Sequence, residues 1–296
     1  VLCKDLLDKG YKVVAIDNFH KGDCDTLLQI ITHPNFEFKE CDVTNLHGLK
    51  TALSNADAII HLAGIVGFPA CIKHPVLAKE VNVTGTKNVI KARASSKIPI
   101  VNASTGSVYG KVEGVCTEDS PSNTNTLYGL TKKEAEDMIS SLENSVSLRF
   151  ATGFGVSPCM RVNLLVNDLV YQAVSNRCLT IFEADANRTF IHVRDMSKAL
   201  ILSLEKVINK KLSYKVYNVG DNSMNITKRG LAEMIKLKTN CFVTYADIGK
   251  DLDNRDYIVD YSKINAEGFA CSISIEDGVD ELIKTSALLR MRSAYQ

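Results

Sequence analysis

The chain has 296 residues, enough for one large domain or two unequal ones, and its apolar content of 45% is that of a soluble globular protein. A formal net charge of +1 gives nucleic acid or an acidic membrane surface nothing to grip, and no apolar run reaches transmembrane length. The nine cysteines and six histidines are dispersed, with no C-x-x-C pair and no metal-ligand spacing. That pattern disfavours a disulfide framework, a zinc site and a metal-dependent hydrolase, and it favours a reducing compartment.

Residues 1–10 predict an amphipathic helix closed by Gly10, and Tyr11 to Asp17 a strand. Phe36 to Cys41 alternates as a further strand, and Asn45 to Leu53 reads as a short helix. Ala58 to Gly64 is an apolar strand ending in small residues, which let a flat ligand approach the backbone. A loop from Ile65 to Pro75 leads into a long helix from about Val76 to Ala94. Ile98 to Val101 reads as a buried strand, with Ser104, Thr105 and Ser107 just past its carboxyl end. Open α/β sheets bind ligands there, although an ordinary Ser/Thr-rich turn fits the same residues. A helix from Tyr128 to Ile139 and a strand from Ser145 to Phe150 follow. Beyond residue 152 the alternation loosens. Helices are expected over Met160–Val170, from an N-cap at Thr227 to about Leu237, and over Ile275–Ile283, with Val216 to Gly220 returning to the sheet.

The sharpest chemical signal is Tyr128-Gly129-Leu130-Thr131-Lys132. Positions four apart share a helix face, so phenol and ammonium can point at one ligand. A free Tyr titrates near ~10 and is a poor base at neutral pH. A fixed positive charge nearby favours the phenolate. The same spacing also suits a solvated helix face.

Three stretches together resemble the extended short-chain dehydrogenase/reductase family, above all its nucleotide-sugar epimerases and dehydratases. They are Tyr128 with Lys132, Thr105 before Val108-Tyr109-Gly110, and His61-Leu62-Ala63-Gly64. The resemblance runs over nearly the whole chain. It implies an α/β fold: a Rossmann-like, doubly wound parallel sheet with a smaller C-terminal substrate domain. The NAD-binding domain is expected over 1–152 with a return segment at about 187–221, and the nucleotide-sugar-binding domain over 153–186 and 222–296. The family places a first strand and a Gly-rich loop before the helix that opens this chain, in the middle of the sheet. Neither is present in the sequence, so the chain looks N-terminally truncated. A gap in the sheet, low stability and weak NAD binding are the expectations that follow.

The resemblance also assigns roles. Thr105, Tyr128 and Lys132 are the catalytic set. Asp17, with Asn18, would hold the adenosine ribose and prefer NAD to NADP, since a carboxylate repels a 2′-phosphate; a simple turn at Asp17-Asn18 is the alternative. Asp42 and Val43 stand where the family contacts adenine. Leu62, Ala63, Gly64, Ser104 and Phe150 complete the cofactor wall. Asn82, in Asn82-Val83-Thr84-Gly85-Thr86, would bind cofactor or hold the active-site loop. Thr152 replaces the family's usual Asn after the sixth strand and faces substrate. Asn167, Arg188 and Arg255 are candidates for the nucleotide diphosphate, with a surface ion pair as the alternative for Arg255. His192 and Asp195 read as structural, Asp195 capping a helix from Met196 to Leu204.

The implied function is an NAD-dependent nucleotide-sugar 4-epimerase of the cytoplasm, acting by transient oxidation at sugar C4 on a UDP- or GDP-linked sugar. A homodimer is implied, with no nucleic-acid or membrane partner and no metal. A 4-dehydrogenase of the GDP-heptose type is suggested by 65–75, 157–167 and 253–257. A non-catalytic NAD-binding regulator on the same fold is the alternative from another class. A 4,6-dehydratase is disfavoured, because Gly106-Ser107 stand where that subgroup has an Asp-Glu pair.

Overall fold

The computed structural model describes residues 1–21, 24–212, 214–246 and 255–293, with residue 24 and the last four by backbone alone. In chain order the elements are α1 (Leu2–Asp8), β1 (Val13–Asp17), β2 (Phe36–Glu40), α2 (Leu46–Ala52), β3 (Ile59–His61), α3 (Phe68–Lys73), α4 (Pro75–Lys79), α5 (Thr86–Ala92), β4 (Ile100–Thr105), β5 (Lys111–Cys116), α6 (Leu127–Ser140) and β6 (Ser145–Phe150). They continue with β7 (Thr152–Phe154), α7 (Leu165–Ser175), β8 (Cys178–Phe182), β9 (Asn187–His192), α8 (Val193–Ile208), β10 (Val216–Val219), β11 (Asn225–Thr227), α9 (Lys228–Thr239), β12 (Phe242–Ala246), β13 (Asp256–Val259), α10 (Ser262–Ala266) and α11 (Ile275–Ser293).

Two compact units result. The first comprises residues 1–108, 124–149 and 197–217; the second comprises 109–123, 150–196 and 218–296. Residues 109–123 and 187–196, expected with the nucleotide-binding part, therefore group with the second unit.

In the first unit β1 and β2 pair in parallel, bringing Asp17 opposite Glu40. β3 and β4 also pair in parallel, inside a sheet of order β10-β6-β4-β3. β1 and β3 are not hydrogen-bonded neighbours, so the sheet is split in two. α2 and α5 pack together over Leu49, Leu53, Ile59, Val89 and Ile100. Asn45 starts α2 by accepting the Gly48 N–H at 3.0 Å, and Thr126 starts α6 by accepting that of Gly129 at 3.1 Å. Each cap satisfies one of the donors that a helix start leaves open.

The long helix expected from Val76 is one helical run from Pro75 to Ala92, but its middle turn, Glu80–Gly85, is a π turn between α4 and α5. A π turn holds one residue more than an α turn and is frequent at functional sites. Here it packs against α6, and Asn82 is its third residue.

In the second unit β9 lies between β11, antiparallel, and β7, parallel. β8 pairs with β12 and β5 with β13, both in parallel. The core gathers Phe154, Val166, Leu169, Phe190, Leu231, Ile235, Val279 and Leu282 between α7, α9 and α11. Thr227 caps α9 as expected, taking the Gly230 N–H at 3.0 Å. The helix expected over Met160–Val170 starts only at Leu165. Contrary to expectation, Asp195 does not precede a helix starting at Met196. It lies inside α8, which already starts at Val193, and its carboxylate accepts from Ser272 N–H, Ser272 Oγ and Ile273 N–H at 2.8–3.1 Å. It ties down the segment before α11 instead.

Candidate active site

The first unit carries the expected catalytic set. α6 packs on β4 and on the single turn Gly106–Val108 that follows it. Thr105, the last residue of β4, is buried; its Oγ1 accepts the Ser107 N–H at 3.1 Å and donates to Ser107 Oγ at 3.2 Å. Tyr128 lies in the first turn of α6, half-buried against the small cluster of Ile65, Cys71, Ala78 and Val81. Lys132, one turn on, is 5% exposed. Its ammonium makes no hydrogen bond or ion pair among the described residues. Burial pulls its pKa down to about 8, against the upward pull of Glu136 and the Cys71 thiol.

One turn further, Glu136 is 1% exposed but fully engaged. Arg149 of β6 grips it with two bonds, Nε to Oε2 at 3.0 Å and Nη2 to Oε1 at 2.7 Å, and Ser104 Oγ donates to Oε2 at 2.7 Å. The Ser104 hydroxyl, expected at the cofactor, thus donates its proton to the buried ion pair. Successive strand residues face opposite sides of a sheet, so Ser104 and Thr105 diverge.

His61, at the end of β3, is buried, and Nε2 stands 2.9 Å from Thr86 Oγ1. The Thr86 hydroxyl gives its proton to the Asn82 carbonyl at 2.7 Å, so His61 Nε2 is the donor of that pair. Burial and then the Lys132 charge push the His61 pKa down to about 3, which keeps the ring neutral.

Asn82 is 1% exposed. Its Oδ1 accepts the Ile65 N–H at 2.7 Å, and its Nδ2 donates to Ile65 O at 3.1 Å and to Thr131 Oγ1 at 3.0 Å. Both amide hydrogens are used, so of the two expected roles the geometry shows the one of holding the loop after β3. Gly64 is needed beside it, since a Cβ there would stand 3.0 Å from Asn82 Oδ1. Leu62 is exposed, and Ala63 and Gly64 are partly so.

At the carboxyl ends of β1 and β2, Asp17 is exposed and one oxygen accepts the Phe19 N–H at 2.7 Å. Asn18 Nδ2 donates to Asp42 Oδ2 at 2.6 Å. Burial would raise the Asp42 pKa, but hydrogen bonds from the Thr44 N–H and hydroxyl and from Asn18 outweigh it and hold the carboxyl below its usual value. The Val43 carbonyl accepts Asn88 Nδ2 at 3.0 Å, and its side chain lies against Gly85. Of Asp17, Asn18, Asp42 and Val43, Asn18 and Asp42 are joined directly by a hydrogen bond.

In the second unit, Phe150 is buried at the end of β6, and Thr152 opens β7 opposite Phe190. Asn167 is buried with its side chain on main chain: Oδ1 accepts the Gly155 N–H and Nδ2 donates to Arg161 O, both at 3.0 Å. Through these bonds it shapes the loop after β7. Arg188 is buried and donates through Nη1 to Asn187 O at 3.0 Å and to Arg255 O. The two arginines expected at phosphate are therefore neighbours. Of the stretch 253–257, residues 253 and 254 lie outside the described residues. The Ser104–Glu136–Arg149 group and Thr131 were not assigned from sequence. A Glu four residues past Lys132, on the helix's inner face, is the signal that could have found the first.

The cofactor fit rests on Lys132. An ammonium on a side chain only 5% exposed, with no hydrogen bond to the described residues, suits the hydroxyls of a ribose.

The sequence profile of the NAD dependent epimerase/dehydratase family matches residues 1–220. The UDP-glucose 4-epimerase of Bacillus subtilis (strain 168) is 29% identical over 79% of this chain and 76% of its own length. The UDP-glucuronate 4-epimerase of Thermodesulfobacterium geofontis is 27% identical over 83% of each. Among solved structures, Pal from Bacillus thuringiensis superposes with a TM-score of 0.86 at 19% identity, covering 97% of this chain and 95% of that one. The UDP-glucuronic acid 4-epimerase from Bacillus cereus, in complex with UDP-glucuronic acid and NAD, gives 0.82 at 22%, with the same coverage. The doubly wound α/β architecture is thus the one these enzymes share, and the chain belongs to the NAD dependent epimerase/dehydratase family.

Proposed function

We propose that the chain is a nucleotide-sugar 4-epimerase that acts on a UDP-linked sugar by transient oxidation at C4. The observation that carries this reading is Lys132, buried and without a hydrogen bond or ion pair among the described residues, four positions past Tyr128 on α6, which packs on β4. NAD, the cofactor of the family, supplies reversible acceptance of the C4 hydrogen as hydride. The chain's own residues do the rest. Lys132 holds the ribose and favours the Tyr128 phenolate. Tyr128 takes the C4 hydroxyl proton as the carbonyl forms and returns it to the epimeric alcohol. Thr105 exchanges its long bond to Ser107 for the same sugar oxygen. Asp17, Asn18, Asp42 and Val43 hold the adenosine end, Leu62, Ala63, Gly64 and Phe150 wall the cofactor, and Asn82 fixes that wall. Thr152 faces the sugar, while Arg188 and Arg255 neutralise the diphosphate by charge-assisted hydrogen bonds, with Asn167 shaping the loop beside them.

The described cysteines are all free, which suits a cytoplasmic enzyme. No described helix is long and apolar enough to cross a membrane. Val76 on α4 and Leu130 on α6 expose apolar side chains, and we place a homodimer contact there.

The test is incubation of the chain with NAD and UDP-glucose, UDP-galactose or UDP-glucuronic acid, followed by chromatography with mass detection. A new peak of unchanged mass is the expected result. A product lighter by two hydrogens would replace the epimerase with a dehydrogenase, and one lighter by water with a dehydratase. Tyr128→Phe should lower turnover by about 10²–10⁴-fold; a folded variant with near-normal activity removes Tyr128 from the mechanism.

A further inference from the structure

We propose that Thr131 is a positioning residue for the Tyr128 phenol, and that it works by locking the first turn of α6 to the loop after β3 through Asn82. The proposal rests on Tyr128 being the acid–base group.

Thr131 is 3% exposed. Its Oγ1 donates to the Tyr128 carbonyl at 3.1 Å and accepts from Asn82 Nδ2 at 3.0 Å. A bond from a Thr hydroxyl to a carbonyl three residues back is by itself an ordinary local feature of helices. The second bond is not local. It comes from the π turn of another helical run, 49 residues away in sequence. The same Asn82 side chain grips Ile65 through both its N–H and its C=O. Ile65 directly follows Leu62-Ala63-Gly64, the strand end assigned to the cofactor.

The chain of contacts therefore runs from the backbone of Tyr128, through Thr131 and Asn82, to the backbone beside the cofactor wall. Every hydrogen of the link has a defined acceptor. The Thr131 proton goes to Tyr128 O, and the two Asn82 amide hydrogens go to Ile65 O and Thr131 Oγ1. Such a closed arrangement has one geometry, because reversing any bond leaves a buried donor facing a donor. The π turn makes it possible by packing directly on α6. Hydride transfer and proton transfer must occur at one sugar carbon and its oxygen. Their separation is thus set by how rigidly the Tyr128 turn is held against the cofactor wall, and Thr131 is the hydroxyl that joins the two.

Thr131→Val keeps the branched shape and removes both bonds. The expected result with the full chain, NAD and UDP-glucose is a fall in kcat of about 10²-fold, as for a group displaced by about 1 Å. KM should stay nearly unchanged, and the acidic limb of the kcat–pH profile should move to higher pH as the phenol shifts relative to Lys132. Thr131→Ser, which keeps the hydroxyl, should restore both kcat and the profile. If the Val variant fails to fold, Thr131→Ala is measured in its place. Wild-type kcat and pH profile in a folded Val or Ala variant would overturn the proposal, as would an equal loss in the Ser variant. Tyr128→Phe is run in parallel. An inactive Phe variant beside a normal Val variant sinks the positioning role alone, whereas an active Phe variant sinks the acid–base assignment and this proposal with it.

Discussion

Lys132 and Glu136 sit one turn apart on the same helix, and both are almost inaccessible to solvent. Glu136 receives three hydrogen bonds, two of them from a guanidinium. Lys132 donates none to the described residues, and burial pulls its pKa down to about 8. A buried charge is tolerated when it is paired and hydrogen-bonded. Glu136 meets that rule inside the protein, and Lys132 meets it only with something bound. The contrast separates two uses of one helix face: the Glu136 turn fastens α6 to the sheet, while the Lys132 turn keeps a charge in reserve for a ligand.

The difference can be broken most sharply at Glu136. Glu136→Ala removes the acceptor of two Arg149 bonds and should destabilise the fold by about 3–5 kcal/mol. Urea unfolding followed by circular dichroism measures it, and a loss comparable with that of a surface mutation would show the pair to be dispensable.

Lys132→Met should do the opposite. It removes a buried charge that the protein does not satisfy, so the ligand-free fold should gain about 1–3 kcal/mol while turnover disappears. The sign follows from linkage. The folded pKa of about 8 lies below the unfolded 10.5, so the folded state binds fewer protons in that window and its stability rises with pH there. The wild type should show that rise and the Met variant should not. A destabilised Met variant would mean that Lys132 is held by the protein after all.

His61 supplies the acid-side counterpart. Its folded pKa of about 3 lies below the unfolded 6.5, so stability is intact above that value and declines as pH falls through it. Between pH 7 and pH 5 the loss from this group is about 2 kcal/mol. His61→Gln keeps a donor toward Thr86 and should flatten the slope; an unchanged slope would assign the loss to other groups.

The smallest effect calibrates the rest. Thr227→Ala removes one neutral cap bond from α9 and should cost about 1 kcal/mol. A larger cost would mean that cap losses in this fold carry more than one hydrogen bond, and the Glu136 result would need rescaling.

What the sequence shows and hides follows the range of the forces involved. Strands such as β6 and caps such as Thr227 are written in a few adjacent residues, and they are found where expected. The Tyr128–Lys132 pair is legible for the same reason. The link from Ser104 to Glu136 and Arg149 is hidden in the sequence because they lie 32 and 45 residues on, and only the folded sheet brings them together. Asp195 looks like a cap in sequence, yet its partners Ser272 and Ile273 come from the far end of the chain. Asn82 carried two roles that no local pattern could separate. Its hydrogen bonds reach Ile65 and Thr131, and they select one.

The π turn at Glu80–Gly85 makes the chain length of this segment a functional quantity. An α-helix turns by about 100° per residue, so deleting any one residue between Pro75 and Asn82 would rotate the Asn82 amide away from Ile65 by about that angle. The mildest change in length would do more harm than many changes in composition.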